Sequence, residues 1–153
     1  MYANALKSVS LSGPTYFGPI IEQTMKVAYE SKQNGSRCYQ TLLILTDGDI
    51  HDMSKTIDLI YQASELPLSI IIVGVGSAGF ENMVQLDGDG GALYNSKGQR
   101  CPRDLVQFVP FRDVNLNPDI LAKELPAELP GQVVRYMTHF GIAPGVAQQV
   151  NID

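Results

Sequence analysis

Acidic side chains crowd into one short segment, Asp47-Gly48-Asp49-Ile50-His51-Asp52. Carboxylates so close together could bind a calcium ion, because Ca²⁺ prefers oxygen ligands. The segment lacks, however, the ligand spacing and the closing glutamate of an EF-hand loop. Asp87-Gly88-Asp89-Gly90-Gly91 presents a similar choice between loop chemistry and a calcium site. At both places we favour ordinary acidic loops.

Motifs for nucleotide binding and for catalysis are weak. The segment 74–79 matches the Gly-x-Gly-x-x-Gly pattern of dinucleotide-binding folds. That fingerprint follows the first strand of its fold and needs an acidic residue after the second strand, whereas the next strand-like run here begins near Leu105. His51 and His139 lie outside any Gly-x-Ser-x-Gly nucleophile context. A doubly wound hydrolase stays an alternative that lacks a nucleophile with a base, so we expect a binding protein and not an enzyme.

The elements that must position these residues alternate between strands and helices. Two continuous apolar runs, Thr41–Thr46 and Leu68–Val75, predict strands buried on both faces, as in a parallel sheet. A third run, Leu105–Phe111, contains Pro110, which suits a sheet edge because proline donates no hydrogen bond. Helices are predicted near 19–31, 54–65, 81–85 and from 118 onward, with a helix end at 2–10. This order predicts a doubly wound, Rossmann-like parallel α/β fold with three main strands flanked by helices.

Local predictions accompany this outline. The helix from Pro19 should place one stripe of residues on a single face: Ile20, Thr24, Val27, Ala28 and Ser31. Asp52 or Ser54 should cap the helix that follows. Pro126 and Pro130 should kink or break the last helical region.

Composition narrows the class of protein. The formal net charge of −5 argues against nucleic-acid binding and gives no attraction to an anionic membrane surface. Cys38 and Cys101 lack metal-ligand spacing, and we expect reduced thiols in a cytosolic protein, with a single disulfide left open. Leu66–Val75, the longest apolar stretch, is too short to cross a membrane, and we see no secretory signal. We therefore expect a cytoplasmic location.

Several motifs together resemble the copine family. The most specific are Leu-Pro-Leu-Ser-Ile-Ile-Ile-Val-Gly-Val-Gly at 66–76 and Gln-Phe-Val-Pro-Phe-Arg at 107–112. Gly-Pro-Thr-Tyr-Phe at 13–17 and Leu-Ile-Leu-Thr-Asp-Gly at 43–48 add to the match. The resemblance covers residues 2–145, and the fold it implies is the von Willebrand factor A type.

The resemblance implies a role in binding. Copines join two calcium-dependent lipid-binding modules to one A-type domain, which is proposed to recruit protein partners. This chain resembles the later part of that domain, so we expect an N-terminally truncated domain over 1–145 and a flexible tail over 146–153. Recruitment to phospholipid at the plasma membrane is expected only for a parent protein that carries the lipid-binding modules. Two alternatives are the copine-like domain of a RING-type ubiquitin ligase and a scaffold that binds no metal.

The resemblance also implies a metal-ion-dependent adhesion site. Thr15 and Asp47 match two of its ligands, whose oxygens suit Mg²⁺, Mn²⁺ or Ca²⁺. The Asp-x-Ser-x-Ser loop that completes such sites is missing from this sequence, so we expect weak metal binding or none. Thr15 could instead cap the next helix, and Asp47 could simply form a turn.

The same resemblance bears on the sheet itself. In the family's sheet another strand pairs with the one predicted at Thr41–Thr46, and without it this apolar edge would be open. We therefore expect either self-association through this edge or a chain that is part of a longer product. Protein partners would bind at the metal-site face or on the helices.

Overall fold

Three parallel strands form the sheet in the computed structural model, which describes residues 7–8, 10, 13–36, 38–88, 90–114 and 117–143. They are β1 (Gln40–Thr46), β2 (Leu68–Gly74) and β3 (Val106–Pro110), side by side in that order. Gln40 is in register with Leu68, and Ile70 with Val106. The predicted parallel Rossmann-like α/β fold is confirmed, and so is the edge position of the strand that contains Pro110.

Helices connect the strands and follow them. They are α1 (Gly18–Gln33), α2 (Met53–Ala63), α3 (Glu81–Asp87), a 3-10 helix (Phe111–Val114), α4 (Pro118–Glu124) and α5 (Leu129–His139). Pro126 lies between α4 and α5, as predicted, but Pro130 sits in the first turn of α5 and breaks nothing, because an N–H there has no helical partner to lose. The predicted helix end at 2–10 falls mostly outside the described residues, and the predicted tail at 146–153 falls entirely outside them.

The two faces of the sheet are covered by different helices. On one face, alternate side chains of all three strands pack with α1, α2 and α3 in the main apolar core. Ile72 of β2 and the helical residues Ile60 and Met83 belong to this core, and Leu42 of β1 is partly buried against it. On the other face, β2 contacts the 3-10 helix and α5, and Tyr136 of α5 is buried. This layered burial explains why β2 is buried at every position.

The prediction that β1 is buried on both faces was wrong. Its side chains are half-buried on one face only, since Leu43 and Leu45 remain 52% and 68% exposed while α5 packs against β2. Helix α1 packs beside β1 with Ile21 and Ala28 buried, whereas Ile20 and Val27 are exposed. The stripe predicted on one face of this helix therefore lies at the border between the core and the surface.

Packing, and not nucleotide binding, explains why position 74 is a glycine. A Cβ there would lie 2.8 Å from Cζ of Phe80 and 3.0 Å from Cε2 of Phe108. These two rings pack against each other with centroids 5.4 Å apart. The first glycine of the apparent dinucleotide motif thus makes room for a pair of aromatic side chains at the end of β2. No helix among the described residues has the length and apolarity to cross a bilayer.

Candidate functional site

Thr15 and Asp47 lie in neighbouring loops at the carboxyl end of the sheet. Asp47 directly follows β1, and Thr15 lies just before α1. Two hydrogen bonds join Thr15 to His51: the His51 N–H donates to the Thr15 carbonyl over 2.9 Å, and the Thr15 N–H donates to His51 Nδ1 over 3.2 Å. The structure therefore brings the loop of Thr15 to the β1–α2 loop that begins with Asp47. His51, which lies in no catalytic motif, is exposed, and its two hydrogen bonds join one loop to the other.

Asp52 caps a different helix from the one predicted. Its carboxylate accepts hydrogen bonds from the backbone N–H groups of Phe17 (2.9 Å) and Gly18 (2.8 Å), at the start of α1. A carboxylate there satisfies N–H groups that lack helical partners and favours the positive end of the helix dipole. Asp52 does precede α2, but its side chain makes no cap bond to that helix. The alternative in which Thr15 caps α1 is wrong too, because α1 receives no side-chain cap from its own N-terminal residue and is held by Asp52.

Gly18 fits this arrangement because of its missing side chain. A Cβ at Gly18 would lie 2.8 Å from Oδ2 of Asp52 and 3.2 Å from the side chain of Lys55. Lys55 itself forms an ion pair of 2.9 Å with Glu22 of α1. Any larger residue at position 18 would push the carboxylate away from the helix that it caps. The sequence shows a glycine just before Pro19, but no residue spacing indicates that Asp52 caps the helix that begins there.

Some of the remaining acidic residues accept hydrogen bonds within the fold, and others are exposed to solvent. Asp49 accepts a hydrogen bond of 2.8 Å from the side-chain amide of Asn82 in α3. Asp47 and Thr15 are exposed, and their side chains make no hydrogen bond to any described residue. Asp87, from the second acidic segment, accepts a bond of 2.6 Å from the N–H of Phe108. Asp89 lies outside the described residues.

The described residues fit a divalent cation only in part. Thr15 and Asp47 supply one hydroxyl and one carboxylate, which are the right donor types for Mg²⁺ or Ca²⁺. Asp49 and Asp52 already serve hydrogen bonds within the fold. Within the described part of the chain, no group of three or more His, Cys, Asp or Glu side chains is placed to hold a metal. Such a cation would take most of its oxygen ligands from water or from a binding partner.

The opposite end of the sheet holds a cluster that the sequence did not reveal. The Arg103 guanidinium donates to the carbonyls of Ser64 (2.9 Å), Leu66 (2.7 Å) and Leu68 (2.7 Å). It also donates to the Tyr39 hydroxyl over 3.2 Å. Arg103 thus ties the segment before β3 to the start of β2 and to the residue before β1. An arginine in a polar loop carries no sequence signal for this role.

Aromatic rings cover this Arg103 cluster. The Tyr136 ring lies 5.3 Å from the guanidinium carbon and 5.7 Å, edge-on, from the Tyr39 ring. Burial raises the pKa of Tyr136, and the neighbouring Arg103 offsets part of that increase. The Tyr39 hydroxyl also bonds to the Leu68 carbonyl over 3.0 Å. The amino end of the sheet is therefore closed by hydrogen bonds and ring packing, whereas Thr15 and Asp47 at the carboxyl end are open to solvent.

A third contact anchors the polar segment before β3. The backbone N–H and the hydroxyl of Ser96 donate to the two carboxylate oxygens of Asp58, over 2.7 and 2.8 Å. These bonds, with a smaller contribution from Lys97, lower the pKa of Asp58. Cys38 and Cys101 are both free thiols, and burial raises the pKa of Cys101.

Comparison with known proteins gives the family. The copine family model matches residues 1–145. Copine-C of Dictyostelium discoideum is 46% identical over 144 residues, which cover 94% of this chain and 27% of that protein. Protein BONZAI 1 of Arabidopsis thaliana is 50% identical over 137 residues, which cover 89% of this chain and 24% of that protein. The chain spans about a quarter of the length of these curated relatives.

These matches extend across the whole described fold, including both loops of the candidate site and the Arg103 cluster. They give no support to a ubiquitin-ligase domain. The chain therefore belongs to the copine family.

Proposed function

We propose that this chain recruits protein partners through the loops at the carboxyl ends of its strands, and that it binds without catalysing a reaction. The family match over residues 1–145 is the observation that carries this proposal. The exposure of Thr15 and Asp47, on loops that His51 and Asp52 hold by hydrogen bonds, supports these loops as the contact surface. In open α/β sheets this end of the strands is where ligands bind.

A divalent cation is the second part of the proposal. Thr15 and Asp47 would hold Mg²⁺, Mn²⁺ or Ca²⁺ weakly, with water filling the rest of the shell. A cation held by so few protein charges can take an acidic side chain from a partner as a further ligand. Recognition would then depend on both the cation and the partner's carboxylate.

Isothermal titration of the chain with each of the three cations tests this part first. We expect weak binding that disappears in Asp47→Ala and persists in Asp119→Ala, which removes an exposed carboxylate from α4. Equal binding by all three proteins would mean that Asp47 holds no cation. Tight binding in the unmodified chain would contradict the incomplete ligand set.

Partner recruitment needs a separate experiment. Affinity capture followed by quantitative mass spectrometry should compare the unmodified chain with Thr15→Ala/Asp47→Ala and with Val134→Lys, which changes the exposed face of α5. Partners lost only in the first variant would place the contact at the loops. Partners lost only in the second would move it to the helical surface and contradict the proposal. Generic ester and phosphate substrates should show no turnover with any of the three.

Cellular location follows from the same family membership as a proposal. We infer a cytoplasmic protein in which calcium-dependent binding to phospholipid belongs to other modules of copines. Flotation with phosphatidylserine vesicles should leave the chain unbound with or without Ca²⁺, because its net charge of −5 opposes an anionic surface. Calcium-dependent flotation would contradict this division of labour.

A further inference from the structure

A cavity of about 260 Å³ lies beside the polar segment that precedes β3. It is at the amino end of the strands, whereas Thr15 and Asp47 are at the carboxyl end. Its apolar floor consists of buried residues from α2, α3 and the start of β3, namely Ile60, Leu86, Leu105 and Val106. A cavity of this size is at the lower end of those that bind small molecules, so a single ring or a short chain would fill it.

A hairpin that runs from Leu93 to Cys101 covers one side of the cavity. The Cys101 N–H donates to the Leu93 carbonyl over 2.8 Å, and both side chains pack against the main core. The tip of the hairpin is held to α2, because Ser96 donates two hydrogen bonds to the Asp58 carboxylate. Beyond its base, the Leu105 carbonyl accepts a hydrogen bond from β2. The wall of the cavity is therefore held at both ends of the hairpin by contacts within the chain.

Three charged residues are among the described residues that line the cavity, and only one of them has its charged group unused. Arg103 donates its guanidinium N–H groups to three carbonyls of the fold. Asp104 accepts a hydrogen bond of 3.2 Å from the Val106 N–H. The Arg100 side chain is exposed, and its guanidinium makes no hydrogen bond or ion pair within the described part of the chain. Two arginines and one carboxylate make this wall positive in a chain whose net charge is −5.

The Cys101 thiol lines the same cavity and forms no disulfide. Burial raises the pKa of this thiol, so it carries no negative charge at neutral pH. It therefore leaves the positive charge of the wall unchanged and offers a weak S–H donor to a ligand. Its place in the wall also makes its chemical reactivity a direct measure of whether the cavity is filled.

We propose that this cavity binds a small amphipathic carboxylate, with its apolar part against Ile60 and Leu86 and its carboxylate at Arg100. Burial of the apolar part supplies attraction, and the paired N–H groups of a guanidinium match the two oxygens of a carboxylate. A neutral or cationic molecule of the same shape would lose the contact with Arg100. This binding is separate from the recruitment of partners at the loops of Thr15 and Asp47, because the two sites lie at opposite ends of the strands.

Protection of Cys101 from a thiol reagent measures binding at the cavity itself. In a Cys38→Ser background Cys101 is the one cysteine of the chain. The neutral reagent methyl methanethiosulfonate, at fixed pH, should modify it more slowly as benzoate is added. We expect half-maximal protection at about 1 mM, since benzoate is a small ligand with few contacts to make. Benzyl alcohol and benzylamine, which have nearly the same shape, should need about threefold higher concentrations or more.

Two arginine variants in the same background test the role of Arg100. Arg100→Gln should raise the benzoate concentration needed for protection about three- to fivefold and leave that of benzyl alcohol unchanged, because it removes only the charge. Arg112→Gln is the matched control, since Arg112 is also exposed but lies on the 3-10 helix after β3. Circular dichroism checks that all variants fold alike. The proposal would be overturned by no protection at about 20 mM benzoate, by equal protection from all three compounds, or by equal weakening in both arginine variants.

Discussion

The two edge strands of this sheet differ in whether described residues take their outward backbone groups. At β3, two carboxylates and a proline occupy the outward donor positions, although the flanking side chains are well buried. At β1, the outward backbone groups and two leucines are exposed together. Protection of the β3 edge is therefore local, since it depends on two particular carboxylates and one proline. Among the described residues no side chain takes the outward groups of β1, which is the edge where the resemblance to copines predicts a further strand.

The ends of the strands differ in the same manner as the edges. At the amino end, Arg103 satisfies three carbonyls and a phenol hydroxyl in one contact. At the carboxyl end, loops are fastened by single side chains such as Asp52, and Asp47 is left exposed. The amino end and the β3 edge therefore hold the fold, whereas the loops at the carboxyl end expose Thr15 and Asp47.

The largest effect is expected from Arg103→Ala, which loosens the strands on both sides of β2 at once. Three carbonyls lose a charged donor in a partly buried place, so the free energy of unfolding should fall by about 3–4 kcal/mol. Urea unfolding measures the loss, and Arg100→Ala, at an exposed arginine in the same segment, is the control. Similar losses in both variants would show that the carbonyl contacts matter little.

The next largest effect is expected from removing a carboxylate that protects the edge of β3. Asp87→Ala removes the acceptor of the Phe108 N–H and should cost about 1–3 kcal/mol, because it leaves a backbone donor unsatisfied. It should also free this N–H to pair with another chain, visible as a rise in scattered mass at equal concentration. Asp87→Asn keeps an acceptor oxygen and should behave more like the unmodified chain. An Asp87→Ala protein that stays at the original mass would show that the carboxylate is not what blocks the edge.

The sequence predicted the sheet better than its edges. Continuous apolar runs located all three strands, since burial in a parallel sheet leaves that pattern, and Pro110 marked the edge strand correctly. Periodicity could not say which strand faces would be covered, because α5 reaches β2 without burying Leu43 and Leu45. In helix α1, spacing placed Ala28 with Ile20 and Val27 on one face, but it could not say that Ala28 would be buried and the other two exposed.

The candidate site was predictable only as a pair of residues. Family motifs pointed to Thr15 and Asp47, which do lie in neighbouring loops. The groups that hold those loops, His51 and Asp52, act across more than 30 positions of the chain, and no local pattern reports such a contact. Arg103 escaped prediction for the same reason, because its partners are backbone carbonyls whose positions depend on the finished fold.

A smaller loss of stability is expected from removing the cap of α1. Asp52→Ala removes the carboxylate that caps α1 and should lower the free energy of unfolding by about 0.5–2 kcal/mol. Ser54→Ala is the control, since Ser54 was an equal candidate cap in the sequence. Thermal melts that rank Ser54→Ala as the more damaging change would contradict the assignment of the cap.

The smallest effect is a pH dependence of the contact between Asp58 and Ser96, which lies away from both edges of the sheet. Ser96 holds Asp58 ionised and lowers its pKa below the ordinary value, so this contact stabilises the fold above the unfolded-state pKa of about 3.9. The stabilisation is lost as the pH falls through the lower folded-state pKa, when the carboxylate takes up a proton. The protection of the Ser96 amide against exchange, measured relative to its intrinsic rate, should therefore fall as Asp58 is protonated in acid, and Asp58→Asn should remove that step. An acid step that persists unchanged in Asp58→Asn would assign it to a different group, because the contact joins α2 to the segment before β3 through this one carboxylate.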